Sequence, residues 1–109
     1  MSESKLQSRV IERAKRRGWD YIAHAGRGIA AFTRTGEPIF VTQMAKGWPD
    51  VFMMRTRDKR VLVMELKKET EEPTEEQVNW LYAMNLCGIP AIVVKPSDLR
   101  EGRVNSVLK

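Results

Sequence analysis

The segment from Val61 to Lys67 constrains the fold more than any other part of this 109-residue chain. It is a short apolar run bounded by polar turns, which predicts a buried β-strand. Side chains alternate between faces along a strand, so Glu65 and Lys67 share the face of Val61 and Val63. The opposite face carries only apolar residues: Leu62, Met64 and Leu66. Two charges at the end of a buried strand are costly unless they have partners or a task, so this strand end is a candidate functional site.

Asp50 directly precedes a second apolar strand, residues 51 to 54, and a polar turn of hairpin length follows at residues 55 to 60. An antiparallel hairpin brings Asp50 beside Glu65, because the two residues lie about equally far from the midpoint of the turn. Two carboxylates this close repel each other unless a cation lies between them. Carboxylate oxygens suit Mg²⁺ or Mn²⁺, so the pair predicts a metal site.

A metal ion in that position can bind a phosphodiester oxygen and lower the pKa of a water molecule. Lys67 can then orient the water or offset charge that develops on the phosphate. Simpler interpretations exist for each residue: Asp50 as a turn carboxylate after Pro49, and Glu65 with Lys67 as a cross-strand salt bridge. Each would be preferred for a residue standing alone, but the order and spacing of the three favour catalysis.

The rest of the chain predicts a single α/β domain, residues 1 to 109, with helices packed on a sheet. Thr74 is the predicted N-cap of a helix that reaches Leu86 and ends at Gly88, with Gln77 closing a capping box. For Gln77 this capping role and a role at the active site are about equally supported. The other predicted segments are a helix at residues 4 to 17, an extended segment from 19 to 23, a loop from 24 to 28, a hairpin of strands 29 to 33 and 38 to 42, a turn at 46 to 49 and a strand at 90 to 94.

Several details follow from the same patterns. After residue 96, two alternatives stay open: a short helix capped by Ser97, or an edge strand from 104 to 108. We expect Cys87 to be buried in the preceding helix. The apolar residues of that helix are Val78, Leu81, Tyr82 and residues 84 to 86, and further core residues are Met53, Met54, Trp48 and Trp80.

Nineteen Lys and Arg residues outnumber fourteen Asp and Glu residues, a net charge of +5 that favours a polyanionic partner such as nucleic acid. The basic residues cluster in two stretches, residues 9 to 17 and 55 to 60. In the loop, we expect Arg27 to contact phosphate, and His24, which has no second ligand beside it, to be structural. The predicted DNA-contacting residues are Arg27, Arg13, Arg16, Arg17 and Lys46. A single cysteine and the lack of an apolar leader or membrane span predict an intracellular, cytoplasmic protein.

Pro49-Asp50 followed by Glu65-Leu66-Lys67 resembles the PD-(D/E)xK nuclease superfamily. Across about the whole chain, the fuller pattern resembles the virus-type replication-repair nuclease (VRR-NUC) domain. The matching residues are Glu3, Gly26, Gly47-Trp48-Pro49-Asp50, Glu65-Leu66-Lys67, Gln77, Trp80, Leu81 and Gly88.

The resemblance implies a restriction-endonuclease-like fold, a central mixed sheet flanked by helices, and Mg²⁺- or Mn²⁺-dependent cleavage of DNA. It implies that Asp50 and Glu65 are metal ligands, that the Leu66 carbonyl is a third, and that Lys67 is the catalytic lysine. An acidic residue of the first helix completes such sites. Glu3 matches best, while Gln7 and Glu12 stay open as alternatives.

Stand-alone phage and bacterial members of this family resemble Holliday-junction resolvases and tend to be homodimers, and a related domain serves DNA repair. The sequence therefore predicts a structure-specific endodeoxyribonuclease that acts on branched DNA, with the hairpin of residues 29 to 42 as the candidate dimer interface. The alternative is a non-catalytic DNA-binding module that uses the same basic surface. A weaker third hypothesis is a small partner-interaction domain.

Overall fold

The computed structural model describes residues 1–24, 34–35 and 45–109, together with the backbone of residues 29–32 and 38–40. Within these residues the helices are α1 (Glu3–Arg16), α2 (Glu75–Leu86), α3 (Pro96–Arg100) and α4 (Arg103–Leu108). The strands are β1 (Tyr21–His24), β2 (Ile29–Phe32), β3 (Pro38–Phe40), β4 (Val51–Arg55), β5 (Arg60–Leu66) and β6 (Ala91–Val94). No helix of the described ranges is long and apolar enough to cross a membrane.

Four strands form a mixed sheet in the order β1-β4-β5-β6. The pairs β1–β4 and β4–β5 are antiparallel, whereas β5 and β6 run parallel. Parallel neighbours need a crossover connection, and α2 lies in the segment that connects them. The backbones of β2 and β3 pair separately as an antiparallel hairpin. The predicted class, a mixed sheet with flanking helices, is confirmed.

The sheet has an apolar layer on each face. On one face, α1, α3 and α4 contribute Leu6, Leu99 and Val104 to a core that contains Leu62 and Met64 of β5. On the other face, α2 contributes Leu81 and Met84 to a smaller core around Val63. The predicted alternation of side chains along β5 is therefore observed.

Arg55 lies inside the protein although the sequence placed it in a basic cluster. Its side chain is only 3% exposed and stacks over Trp19, 4.9 Å from the ring centroid. The guanidinium donates to both carboxylate oxygens of Asp58 and to the carbonyls of Arg17 and Leu108, among others. A buried cation requires such a complete set of acceptors. Part of the predicted basic surface therefore stabilises the fold.

Several predictions about α2 are wrong. Val78, Tyr82 and Leu86 are exposed, and Cys87, which follows the helix as its C-cap, is exposed too. The helix contacts the sheet through Leu81 and Met84, so the row at positions 78, 82 and 86 lies on another side.

Other local predictions are corrected as well. Met53 is buried, but Met54 is 37% exposed because it points to the opposite side of β4. Of the two alternatives after residue 96, a short helix or an edge strand, the structure has helices. Val104 and Leu108 lie four residues apart and are both buried in the first core, which is helical spacing. The short helix α3 begins at Pro96, with Asp98 accepting a hydrogen bond from the Lys95 amide, so Ser97 is not its cap.

Candidate active site

The hairpin of β4 and β5 brings the two predicted carboxylates together. Val51 pairs with Met64, so the next position outward sets Asp50 opposite Glu65. The backbone amide of Leu66 donates to the Asp50 carboxylate, Oδ2, over 2.8 Å. The register inferred from residue counting is therefore the one observed.

The turn before β4 is held against α2. Gly47 has a φ of 86°, and a Cβ at this position would lie 2.7 Å from backbone of the helix, so only glycine fits. The indole nitrogen of Trp80 donates to the Lys46 carbonyl over 3.0 Å, and the Trp48 and Trp80 rings meet edge to face with centroids 5.1 Å apart. These contacts fix the chain just before Asp50 and so fix the direction from which its carboxylate enters the site.

Glu65 is the most deeply buried charged residue of this site, with 1% exposure. Its Oε1 accepts a hydrogen bond from Gln77 Nε2 over 3.2 Å and lies 3.9 Å from the Lys67 ammonium. Its Oε2 is buried and has no hydrogen-bond partner among the described residues. A buried acceptor without a donor costs free energy unless a proton or a cation lies against it.

The environment of Glu65 disfavours its charged form. Burial is the largest cause, followed by the adjoining carboxyl group of Asp50; together they raise the pKa of Glu65 from 4.5 to about 9. The Lys67 ammonium lowers the pKa, but its effect is smaller. At neutral pH and without a metal ion, the Glu65 carboxyl group therefore favours its protonated form.

These two carboxylates fit a hard divalent cation. The ion would supply the positive charge that the unpartnered Glu65 oxygen and Asp50 both lack. Mg²⁺ is commonly held by one or two carboxylates while water fills its other positions. Within the described ranges, no three His, Cys, Asp or Glu side chains come together as a metal-holding group. The site thus offers two protein carboxylates.

The first helix approaches the site at its N-terminal turn. Glu3 lies close enough for its charge to raise the pKa of Glu65, although it is the smallest of the contributors. Gln7 lies one turn farther along α1, and Glu12 is exposed and paired with Arg16. The charge of Glu3 therefore acts on Glu65, whereas Glu12 is engaged by Arg16. The role of Glu3 as a metal ligand stays a prediction.

Gln77 closes the predicted capping box, and its side chain also reaches the candidate site, where it contacts Glu65 and not Lys67. Its side-chain oxygen accepts from the Thr74 amide over 2.8 Å, and the Thr74 hydroxyl accepts from the Gln77 amide over 3.2 Å, so the capping box is confirmed. The other end of the Gln77 side chain donates to Glu65. The two interpretations are compatible because an amide side chain has separate donor and acceptor atoms.

Two arginines predicted to contact DNA are hydrogen-bonded within the protein. Arg13 donates to Asn105 Oδ1 over 3.2 Å and to the Leu99 carbonyl over 3.5 Å, so it joins α1 to the C-terminal helices. Arg17 donates to the Arg13 carbonyl over 3.2 Å. Both side chains have structural partners that a DNA phosphate would have to share or replace.

The remaining predicted DNA contacts lie on the surface or outside the described residues. Arg16 is exposed and paired with Glu12. The exposed Lys46 lies 3.3 Å from Glu76. Arg27 lies outside the described residues.

Nothing in the sequence indicated that His24 lies near the candidate site. It is the last residue of β1 and pairs with Val51, one position from Asp50. Its Nδ1 lies 3.0 Å from Gln7 Nε2 on α1. The pairing of the extended segment before His24 with β4 would have indicated this position. That pairing is a contact between distant parts of the chain, so the local sequence does not reveal it.

No known family model, no characterised protein and no solved structure matches this chain.

Proposed function

We propose that this protein is a metal-dependent DNA endonuclease that hydrolyses phosphodiester bonds with Mg²⁺ or Mn²⁺. The observation that carries the proposal is Glu65: a buried carboxyl with an unpartnered oxygen, set opposite Asp50 and beside Lys67. A fold has no need of two adjoining carboxylates and a largely buried lysine at one strand end, since apolar side chains would stabilise the same position as well or better.

Asp50 and Glu65 hold the metal ion in this proposal, with the Leu66 carbonyl and Glu3 as further ligands. The bound ion would polarise the phosphate and lower the pKa of the attacking water. Lys67 places its ammonium where negative charge develops on the phosphate, or orients the water. Gln77 holds Glu65 in its orientation through the hydrogen bond to Oε1.

The proposed substrate is branched or distorted duplex DNA, such as a Holliday junction, in DNA repair. The net charge of +5 supports a polyanionic substrate. The preference for branched DNA and the restriction-endonuclease-like fold come from the resemblance of the Gly47-Trp48-Pro49-Asp50 and Glu65-Leu66-Lys67 motifs to VRR-NUC domains. A non-catalytic DNA-binding module would use the same positive charge, but it would leave the buried carboxylates without a purpose.

The test is cleavage of a panel of junction, flap, splayed and linear duplex DNA with Mg²⁺ or Mn²⁺. We expect Asp50→Ala and Glu65→Ala to abolish cleavage while the circular dichroism spectrum and DNA binding stay near those of the wild type. EDTA should stop the wild-type reaction. Glu72→Ala is the matched control, because its carboxylate is exposed and paired with Lys95. Cleavage at the wild-type rate by both alanine variants would reject the proposal.

A further inference from the structure

A groove lies between α1 and β1. Two adjoining cavities of about 450 Å³ and about 350 Å³ form it and share the residues Ile11, Lys15 and His24. Gln7 lies at one end, and Tyr21 and Arg34 line the other.

The end of the groove at Gln7 is near the candidate active site. His24 pairs with the neighbour of Asp50 in the sheet, and Gln7 lies one helical turn after Glu3, whose charge acts on Glu65. Among the β1 residues that line the groove, His24 is the one that pairs nearest to Asp50.

One wall of the groove is a single row of α1. Gln7, Ile11 and Lys15 follow each other at intervals of four residues and so lie on one side of the helix. From residue 7 to residue 15 the helix rises about 12 Å, which equals the axial length of about three to four nucleotides of a DNA strand.

His24 presents a hydrogen-bond donor to this groove. An amide nitrogen only donates, so His24 Nδ1 is the acceptor in the contact with Gln7 Nε2, and the second ring nitrogen, Nε2, can donate to another group. An N–H group suits a phosphate oxygen, which only accepts.

The cations of the groove are less compensated than its acids. The exposed Lys15 ammonium forms no ion pair with any residue that the structure describes. Arg34 is bonded only to the neutral Tyr21 hydroxyl among those residues. In contrast, Asp20 accepts hydrogen bonds from the Thr56 amide and hydroxyl.

The second acid of the groove, Glu12, is paired with Arg16. Both carboxylates thus have partners of their own, and the cations that remain favour an anionic occupant.

We propose that this groove binds the phosphodiester backbone of the DNA strand next to the cleavage site, with His24 and Lys15 each contacting a phosphate. The inference rests on DNA being the substrate, as proposed above. The residues of this groove differ from Arg13 and Arg17, which form hydrogen bonds within the protein.

The test compares the salt dependence of DNA binding in EDTA, where the substrate stays intact. Lys15→Gln should bind at least about threefold more weakly and lower the slope of log K against log salt concentration by about 1, the contribution of one phosphate contact. Lys5→Gln is the matched control: the same substitution on the same helix, at an exposed residue that does not line the groove. It should leave the slope unchanged.

A second pair of variants tests His24. His24→Asn retains a polar atom near Gln7 but does not reach the groove, whereas His24→Gln places an amide near the Nε2 position. We expect His24→Asn to weaken binding and His24→Gln to restore most of it. A substrate with one methylphosphonate should locate the contact, since the neutral linkage weakens binding of the wild type but not of Lys15→Gln at the phosphate that Lys15 contacts.

The outcomes separate the two proposals. If the wild type cleaves DNA but Lys15→Gln and His24→Asn bind like Lys5→Gln, the groove is rejected and the nuclease function stands. If Lys15→Gln lowers the slope but the wild type cleaves nothing with either metal, the groove is supported and the nuclease function is rejected. Absence of any DNA binding by the wild type overturns both.

Discussion

Position 65 combines burial with a neighbouring negative charge. Glu65 is 1% exposed and faces Asp50, and these two effects hold its pKa near 9 in the folded protein against 4.5 as its ordinary value. Between these pH values, folding takes up a proton that the unfolded chain has released. The free energy of unfolding therefore falls as pH rises through this interval, and the stabilisation that the proton confers is fully present only below the lower value.

This residue-scale linkage predicts the effect of Glu65→Gln on metal-free protein. The variant has no carboxyl to titrate, so its stability relative to the wild type should increase steadily between about pH 5 and about pH 9. Urea unfolding in EDTA across this range measures the difference. The profile of Glu72→Gln, an exposed substitution, should run parallel to that of the wild type. A parallel profile for Glu65→Gln as well would contradict the proposed environment of Glu65.

At the scale of elements, α2 contributes both to the stability of the fold and to the candidate active site. Its capping box uses Thr74 and Gln77, and the same Gln77 side chain reaches Glu65. Thr74→Ala removes only the cap, whereas Gln77→Ala removes part of the cap and the contact to the site. We expect each variant to lose about 1 kcal/mol of stability.

Only Gln77→Ala should lower the cleavage rate, by about tenfold or more, because Glu65 loses the group that orients it. Thermal unfolding and single-turnover cleavage of both variants measure the two effects. Equal losses of cleavage in both would show that Gln77 acts through the helix alone.

At the scale of the whole molecule, cutting both strands of a symmetric junction favours two linked active sites, so we expect a homodimer. The hairpin of residues 29 to 42 stays the predicted interface; its side chains lie outside the described residues except at positions 34 and 35. Size-exclusion chromatography with light scattering measures the state directly. A monomer at high protein concentration would contradict this prediction.

The sequence by itself determined the features that depend on near neighbours. The alternation along β5, the pairing of Asp50 with Glu65 and the cap of α2 all follow from periodicity or from contacts within 16 residues. Local backbone geometry suffices for these, because a strand has a period of two and a hairpin pairs residues at equal distances from its turn.

Only the tertiary structure decided which polar groups meet across the chain. Arg55 reaches carbonyls 38 and 53 residues away, and Gln7 reaches His24 from another element. The sequence also did not show which side of α2 contacts the sheet, because apolar residues occur on more than one side of that helix. Such contacts depend on how whole elements pack, and local periodicity carries no information about that packing. The pair Asp50 and Glu65 could thus be predicted, whereas the groove between α1 and β1 could not.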